Sequence, residues 1–149
     1  MHHKHPNSAL RAISLGCFLI LGTFVLAACS DATGLNVSKV AGNYVATGFR
    51  VSDPAGITEI LDIGGELTLN LADDGSVTGH LLMPGFEIHG GDIDVNLTGT
   101  WTLEGDIVHI ESPEDTFIPE LPFTASGTDL RTNTELAGGR VVLIRLVKS

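Results

Sequence analysis

Alternation of apolar and polar side chains over residues 94–103 constrains the fold of this chain more than any other feature. Successive side chains of a β-strand point to opposite faces, so a period of two predicts a strand with one face against a core. The inward positions are Val95, Leu97, Gly99, Trp101 and Leu103. A turn at Gly105 and Asp106 would then place Trp101 opposite Ile110, which keeps that face apolar.

A second strand with the same alternation is predicted over residues 66–71, where leucine occupies every other position. The Asp-Asp-Gly sequence at residues 73–75 fits a three-residue loop whose glycine is left-handed. This loop predicts a hairpin in which Leu67 lies opposite Leu81, so that the two strands share one apolar face.

The last hairpin is predicted from residues 129–136 and 140–147, which are joined through a Gly-Gly turn. We expect Leu136 to lie opposite Val141, and this register places Arg145 on the same inner face. The second strand is apolar on both faces, which predicts that something covers its outer face as well.

A short helix over residues 54–63 is the predicted cover. Asp53 could cap it, and Ile57, Ile60 and Leu61 would form one apolar stripe at helical spacing.

About eight strands in sequence-adjacent hairpins predict an all-β fold. The first strand, residues 43–51, requires a bulge near Gly48 because Tyr44 is out of step with Phe49. A single antiparallel up-and-down barrel leaves no exposed edge and is the predicted architecture, with one short helix or loop covering it. A two-sheet β-sandwich is the alternative.

The amino terminus has the three parts of a secretory signal. Lys4 and Arg11 give a positive start, residues 13–25 are apolar, and residues 26–29 (Leu-Ala-Ala-Cys) resemble the lipobox of bacterial lipoproteins. A transmembrane helix is the alternative, but it would need about 20 apolar residues, more than this stretch provides. The resemblance implies that residues 1–28 are a signal peptide that is removed.

The same resemblance implies that Cys29 becomes the first mature residue and carries acyl chains such as palmitate. Two or three chains would anchor the protein in a membrane almost permanently. The predicted location is the bacterial cell envelope, facing the periplasm or the exterior. Ser30, not aspartate, follows the cysteine, which resembles sorting to the outer membrane if the host is Gram-negative. Residues 29–39 are the predicted tether and residues 40–149 the barrel domain.

Acidic side chains outnumber basic ones by 18 to 8, for a net charge of −10. Removing residues 1–28 takes away Lys4 and Arg11, which leaves six basic side chains and a charge of about −12. Such a surface repels phosphates, so no nucleic acid is expected as a partner. Cys17 is removed as well, and the lipidated Cys29 then has no partner for a disulfide.

Three stretches, taken in order, resemble the small bacterial lipocalin-like barrels of the calycin type. They are residues 42–44 (Gly-Asn-Tyr), residues 64–69 with the loop that follows, and residues 99–105. The resemblance implies that Tyr44 replaces the tryptophan that closes lipocalin barrels, and that Arg145 packs on its ring as the barrel-closing pair.

The interior of an eight-stranded barrel is either filled by side chains or holds one small ligand. We predict that Leu67, Leu69 and Trp101 line the interior, where a small hydrophobic ligand could bind. A filled interior stays open as the other outcome.

No catalytic or cofactor motif is found, so we expect neither an enzyme nor a resident cofactor or metal. The histidines of the mature chain are His80, His89 and His109, and we predict them to lie apart on the surface and not around zinc. A calcium loop starting at Asp92 is excluded, because Leu97 and Leu103 stand where glycine and glutamate are required.

These observations predict a membrane-anchored envelope lipoprotein whose barrel binds a small hydrophobic ligand. The alternative is an envelope interaction or structural protein without a ligand cavity. It could, for example, inhibit a basic hydrolase through the acidic loops at residues 83–94 and 112–122. The protein partner is not specified by the sequence.

Overall fold

Nine strands, one short helix and two 3-10 turns form the described part of the chain, residues 34–86 and 91–149 of the computed structural model. The helix α1 is Val37–Val40, and the turns are Leu61–Ile63 and Ile118–Glu120. The strands are β1 Gly42–Asp53, β2 Gly56–Glu59, β3 Glu66–Leu71, β4 Ser76–Met83, β5 Ile93–Glu104, β6 Ile107–Glu111, β7 Phe123–Ala125, β8 Asp129–Leu136 and β9 Arg140–Lys148.

Eight of these strands close into an antiparallel barrel. Each strand from β3 to β9 pairs with the next, and β1 closes the ring by pairing with both β3 and β9. The ninth strand, β2, is an extra strand that pairs with the last four residues of β1. The structure therefore confirms the predicted all-β barrel, and its architecture is consistent with a lipocalin-like fold.

The registers predicted for the middle hairpins are confirmed. Leu67 lies opposite Leu81, and Trp101 lies opposite Ile110. Gly75 has a φ of 84°, the left-handed conformation that the loop before β4 requires. In each of these strands one face is apolar and the other polar, and burial of the apolar face selects a single register.

The predicted register of the last hairpin was wrong by one residue. Leu136 lies opposite Arg140, not Val141, and Arg145 lies opposite Arg131 on the outer face. A shift of one residue exchanges the two faces of a strand. Because β9 is apolar on both faces, alternation could not choose between them. The observed register buries Ile144 and its even-numbered neighbours and keeps Arg145 in water.

The helix predicted over residues 54–63 was also wrong. The segment forms a turn, then β2, then a 3-10 turn. The Asp53 carboxylate accepts hydrogen bonds from the backbone N–H groups of Ala55 and Gly56, so this side chain stabilises a tight turn and not a helix. Ile57 is exposed on β2, whereas Ile60 is fully buried.

A bulge in β1 occurs where it was predicted. The pairing with β9 shifts between Ala46 and Gly48. This shift lets Tyr44 and Phe49 both face the core, although they lie five positions apart in the sequence and a regular strand would place them on opposite faces.

The core lies inside the barrel and receives buried side chains from every barrel strand. Besides Trp101, which is 3% exposed, the largest side chains of the barrel strands are less than 2% exposed, namely Tyr44, Phe49, Leu67, Leu69, Leu71, Leu81, Met83, Phe123 and Leu130. Val40 at the end of α1, which is the first residue of the predicted barrel domain, is fully buried too.

The predicted signal peptide and Cys29 lie outside the described residues. In the part of the chain that the structure describes, no helix has the length and apolar character needed to cross a membrane.

Candidate functional site

The three residues predicted to line a cavity are part of the packed core. Leu67, Leu69 and Trp101 are at most 3% exposed. The indole N–H of Trp101 donates a hydrogen bond to the Ala72 carbonyl at 2.9 Å, so the polar end of this side chain is already satisfied. The cavity that the structure does show, described below, has none of these three residues in its lining.

One mouth of the barrel is closed by the loop of residues 112–122. Ile118 and Leu121 of this loop are buried in the core. The ring of Phe117 packs against Phe49 of β1, with 6.4 Å between centroids, while the 3-10 turn packs against β6. The loop thus crosses the opening from one wall to the other. It is not the free-standing acidic loop that the sequence suggested.

The opposite mouth is closed by α1 and Tyr44. The buried Tyr44 hydroxyl donates a hydrogen bond to the carbonyl of Val40 at the end of α1. Burial raises the pKa of Tyr44, and the nearby Asp129 carboxylate raises it further. Both ends of the barrel are therefore covered by apolar side chains of the chain itself.

The cation above the Tyr44 ring is Lys148, not Arg145. The Lys148 ammonium lies 5.7 Å from the ring centroid and donates a hydrogen bond to the Lys39 carbonyl at 2.8 Å. Arg145 is exposed and bonds to Asp129. The predicted barrel-closing pair of Tyr44 and Arg145 was thus wrong in its cation, and the one-residue register shift of β9 is the cause.

A groove of about 650 Å³ lies on the outer wall where β8 continues past the end of β7, and we call it the outer groove. Its lining includes the apolar side chains of Ile107, Pro122 and Leu143 and the guanidinium groups of Arg131 and Arg145. A concave surface of this size is in the range that binds small ligands or short peptide segments. It is our candidate functional site.

Two arginines in the outer groove share one carboxylate. Asp129 contacts Arg131 through one oxygen and Arg145 through the other, each at 3.3 Å. Loss of hydration alone would raise the pKa of Asp129, but the guanidinium groups of Arg145 and Arg131 outweigh it, so the pKa is lowered. One negative charge opposite two positive ones leaves the groove locally basic.

The outer groove runs along an unpaired strand edge. β7 pairs with β8 only as far as Arg131, whereas β9 follows β8 to Leu136. On the β7 side, residues 132–136 have no neighbouring strand in the described chain, and we call them the free edge of β8. Within it, the hydroxyl groups of Thr132 and Thr134 are 2.9 Å apart. Both residues border the groove and lie on the inward-facing side of β8.

Sequence reasoning missed the outer groove, although one signal pointed to it. Residues 122–126, around Phe123, have room for only a short strand, whereas the strand predicted from residues 129–136 has eight residues. Where two neighbouring strands of a sheet differ in length, part of the longer strand stays unpaired. The predicted β8–β9 register placed Arg145 on the inner face, so the sequence did not place this arginine in the outer groove.

His80 forms a second polar cluster on the outer wall. Its Nδ1 is 2.7 Å from Glu66 of β3, and its Nε2 is 2.8 Å from Asp94 of β5. Hydrogen bonds to Asp94 and then to Glu66 raise the pKa of His80. Both ring nitrogens are occupied by carboxylates, so the imidazole has no lone pair directed at a metal.

The other residues considered for metal binding lie apart. His109 is exposed on β6, His89 lies outside the described residues, and Asp92 accepts a hydrogen bond from the Gly85 N–H. Among the residues that the structure describes, no group of three or more His, Cys, Asp or Glu side chains could hold a metal ion.

No protein-family model matches this chain, and no curated protein matches it. The fold and the outer groove are therefore the basis for a function.

Proposed function

We propose that this chain is a lipid-anchored protein of the bacterial cell envelope whose barrel binds a partner on its outer wall. The observation that carries the proposal is the closure of both barrel mouths, by α1 at one end and by residues 112–122 at the other, together with a groove on the outside. A filled barrel is a rigid scaffold, and binding residues on such a scaffold are held in place.

The anchor and the location are supported by the sequence of residues 26–29 and by the position of α1. The chain enters the barrel through α1, so a lipid on Cys29 would hold this end of the barrel towards the membrane. The few residues between them reach about 25 Å at most. The outer groove lies on the side wall, where a neighbouring envelope protein could reach it.

The local charge of the outer groove indicates the sign of the partner's contact surface. The molecule is strongly acidic, but two of its six mature basic side chains, Arg131 and Arg145, meet here. Exposed charges are screened beyond about 8 Å at physiological salt, so contact chemistry is governed by the groove itself. This observation favours an anionic partner over the basic hydrolase considered from the sequence.

Metabolic labelling with radioactive palmitate tests the anchor. We expect label in the full chain and in a Cys17→Ser variant, because Cys17 lies in the removed signal. A Cys29→Ser variant should take up none and should be released from membranes. Equal labelling of the two cysteine variants, or none in the unaltered chain, would contradict the anchor.

A second candidate function is binding of a small hydrophobic ligand, and the volume of the outer groove favours it. Ligands that bind only the folded state raise the melting temperature. Thermal unfolding of the full chain with fatty acids tests this candidate. A rise that is lost in a Leu143→Gln variant would support it, and no rise at saturating fatty acid would exclude it.

A further inference from the structure

We propose that the free edge of β8 and the outer groove bind an extended, carboxylate-bearing segment of a partner protein, which adds to the barrel wall as a strand. The inference rests on the proposed function, because it names the chemistry of the partner for the same outer wall. It is argued from the strand edge, from the charges beside it and from the side chains on its two faces.

The free edge of β8 offers backbone groups to another chain. Unpaired edges are templates for strand addition, and proteins usually shorten, cover or charge them. Here the covering strand β7 has three residues, and Pro122 precedes it, so pairing stops at Arg131. Residues 132–136 leave room for a segment of about five residues, which is the usual length of a strand.

The charges beside the free edge of β8 are unbalanced and would be neutralised by one more carboxylate. Arg131 and Arg145 lie directly opposite each other on β8 and β9, an arrangement of like charges that is unfavourable by itself. Asp129 contacts both guanidinium groups but neutralises only one charge. A carboxylate on the outward face of an added strand, at the position beside Asn133, would lie diagonally across from Arg131 and within reach of its guanidinium group. It would accept charge-assisted hydrogen bonds from that group.

The two faces of the edge favour different side chains in the added strand. Inward positions would lie beside Thr132 and Thr134, and outward positions would lie beside Asn133 and Glu135. Arg131 is the next outward residue along β8, where β7 ends. Alternate side chains of an extended segment therefore contact alternate environments. We expect small or hydroxyl-bearing residues at the inward positions, an acidic residue at the outward position beside Asn133, and an uncharged residue beside Glu135.

A second copy of this chain fits the edge less well. Two β8 edges related by a two-fold axis would pair antiparallel and would direct the two barrels in opposite directions. Because α1 marks only one end of each barrel, the two amino termini would then lie at opposite ends of the pair. Two lipid anchors could not enter the same membrane from there through short tethers.

The test is a selection of random eight-residue peptides on the full lipidated chain in detergent micelles. We expect enriched peptides to carry aspartate or glutamate and to alternate in character. Their affinity should fall at least about tenfold in an Arg131→Gln, Arg145→Gln double variant, the size expected for lost charge-assisted hydrogen bonds. A Lys39→Gln, Arg50→Gln double variant removes the same charge elsewhere and should bind within about twofold of the unaltered chain.

Hydrogen exchange of the backbone amides supplies the second readout. A bound peptide should slow exchange within residues 132–136, which a purely electrostatic contact with the arginines would not do. The inference is overturned if no peptide is enriched, if enrichment is the same on the arginine double variant, or if protection appears on another wall.

The outcomes also separate this inference from the proposed function. Protection on another part of the outer wall would leave a binding scaffold without strand addition at β8. Loss of palmitate labelling would remove the envelope anchor but would leave peptide binding as it is. A concentration-dependent dimer that protects residues 132–136 would assign the edge to a second copy and contradict the inference.

Discussion

His80 joins the outer faces of three strands, because its two ring nitrogens contact carboxylates on the strands beside its own. The hydrogen bonds that the His80 ring donates to Asp94 and Glu66 favour the charged imidazolium, and they raise its folded-state pKa above the ordinary value of 6.5. A group whose pKa is higher in the folded state than in the unfolded state contributes its full stabilisation at any pH below the pKa of the unfolded state. This stabilisation is lost as the pH rises through the pKa of the folded state.

We therefore expect a His80→Gln variant to lose more thermal stability, relative to the unaltered chain, at about pH 5.5 than at about pH 8.5. The matched control is His109→Gln, since His109 is exposed on β6, outside the cluster. NMR titration of the His80 ring should give a pKa above 6.5. A His80 pKa at or below 6.5, or the same pH dependence of thermal stability in the two variants, would contradict a stabilising contact of His80 with Glu66 and Asp94.

Tyr44 shows how far prediction reached at single positions. Its place at the start of the barrel and its role in closing one end could be predicted from the resemblance, and burial of its ring agrees with that role. The cation above it could not, because the choice between Arg145 and Lys148 depends on the face to which each residue of β9 points. That face is set by packing across the whole barrel.

At the scale of elements, Gly99 allows β6 and the loop after it to pass close to β5. Its φ is 154°, and a Cβ atom at this position would lie 1.9 Å from the Glu111 carbonyl oxygen. Any side chain here would both strain the backbone and displace the end of β6.

We expect Gly99→Ala to lower the free energy of unfolding by about 2–4 kcal/mol in urea titrations, from backbone strain and overpacking together. Gly48→Ala is the matched control. A Cβ atom at Gly48 would meet only the Arg145 Cβ, at an ordinary 3.7 Å, so the change should be below about 1 kcal/mol. An equal loss of unfolding free energy in the two variants would show that β5 does not pass close to the end of β6 at Gly99.

The loop of residues 112–122 is the element that covers the second mouth, and its buried side chains give a direct test. We expect Ile118→Ala to cost about 2–5 kcal/mol of unfolding free energy, as for other buried aliphatic residues. Asp115→Ala, in the exposed part of the same loop, should change it by no more than about 0.5 kcal/mol. If the two variants were equally stable, the loop would not be packed into the barrel.

The elements that could be predicted are those with one apolar face. An apolar face is buried in each of the strands β3, β4, β5 and β6. The alternation of apolar and polar side chains therefore predicts both the strands and their registers. β9 is apolar on both faces, and β2 lies within a run whose apolar residues happen to have helical spacing, so local pattern alone was ambiguous in both places. The outer groove depends on where β7 ends beside β8, which is a property of barrel closure and not of either strand.

At the scale of the whole molecule, the chain is an eight-stranded barrel that fills its own interior. Side chains from every barrel strand, from α1 and from residues 112–122 meet inside it. An eight-stranded barrel is near the size at which filling and ligand binding are both possible, and two covered mouths favour filling. Under the proposed function, binding takes place on the outer wall, where the outer groove and the free edge of β8 lie.

Trp101, the chain's only tryptophan, reports on this interior. Its ring is 3% exposed, and its N–H is bonded to Ala72. Titrating the full chain with oleate while recording tryptophan fluorescence should leave both the wavelength and the intensity of emission unchanged, as expected for a ring packed by protein alone. A saturable shift or quenching of Trp101 emission would place the ligand inside the barrel and contradict a filled interior.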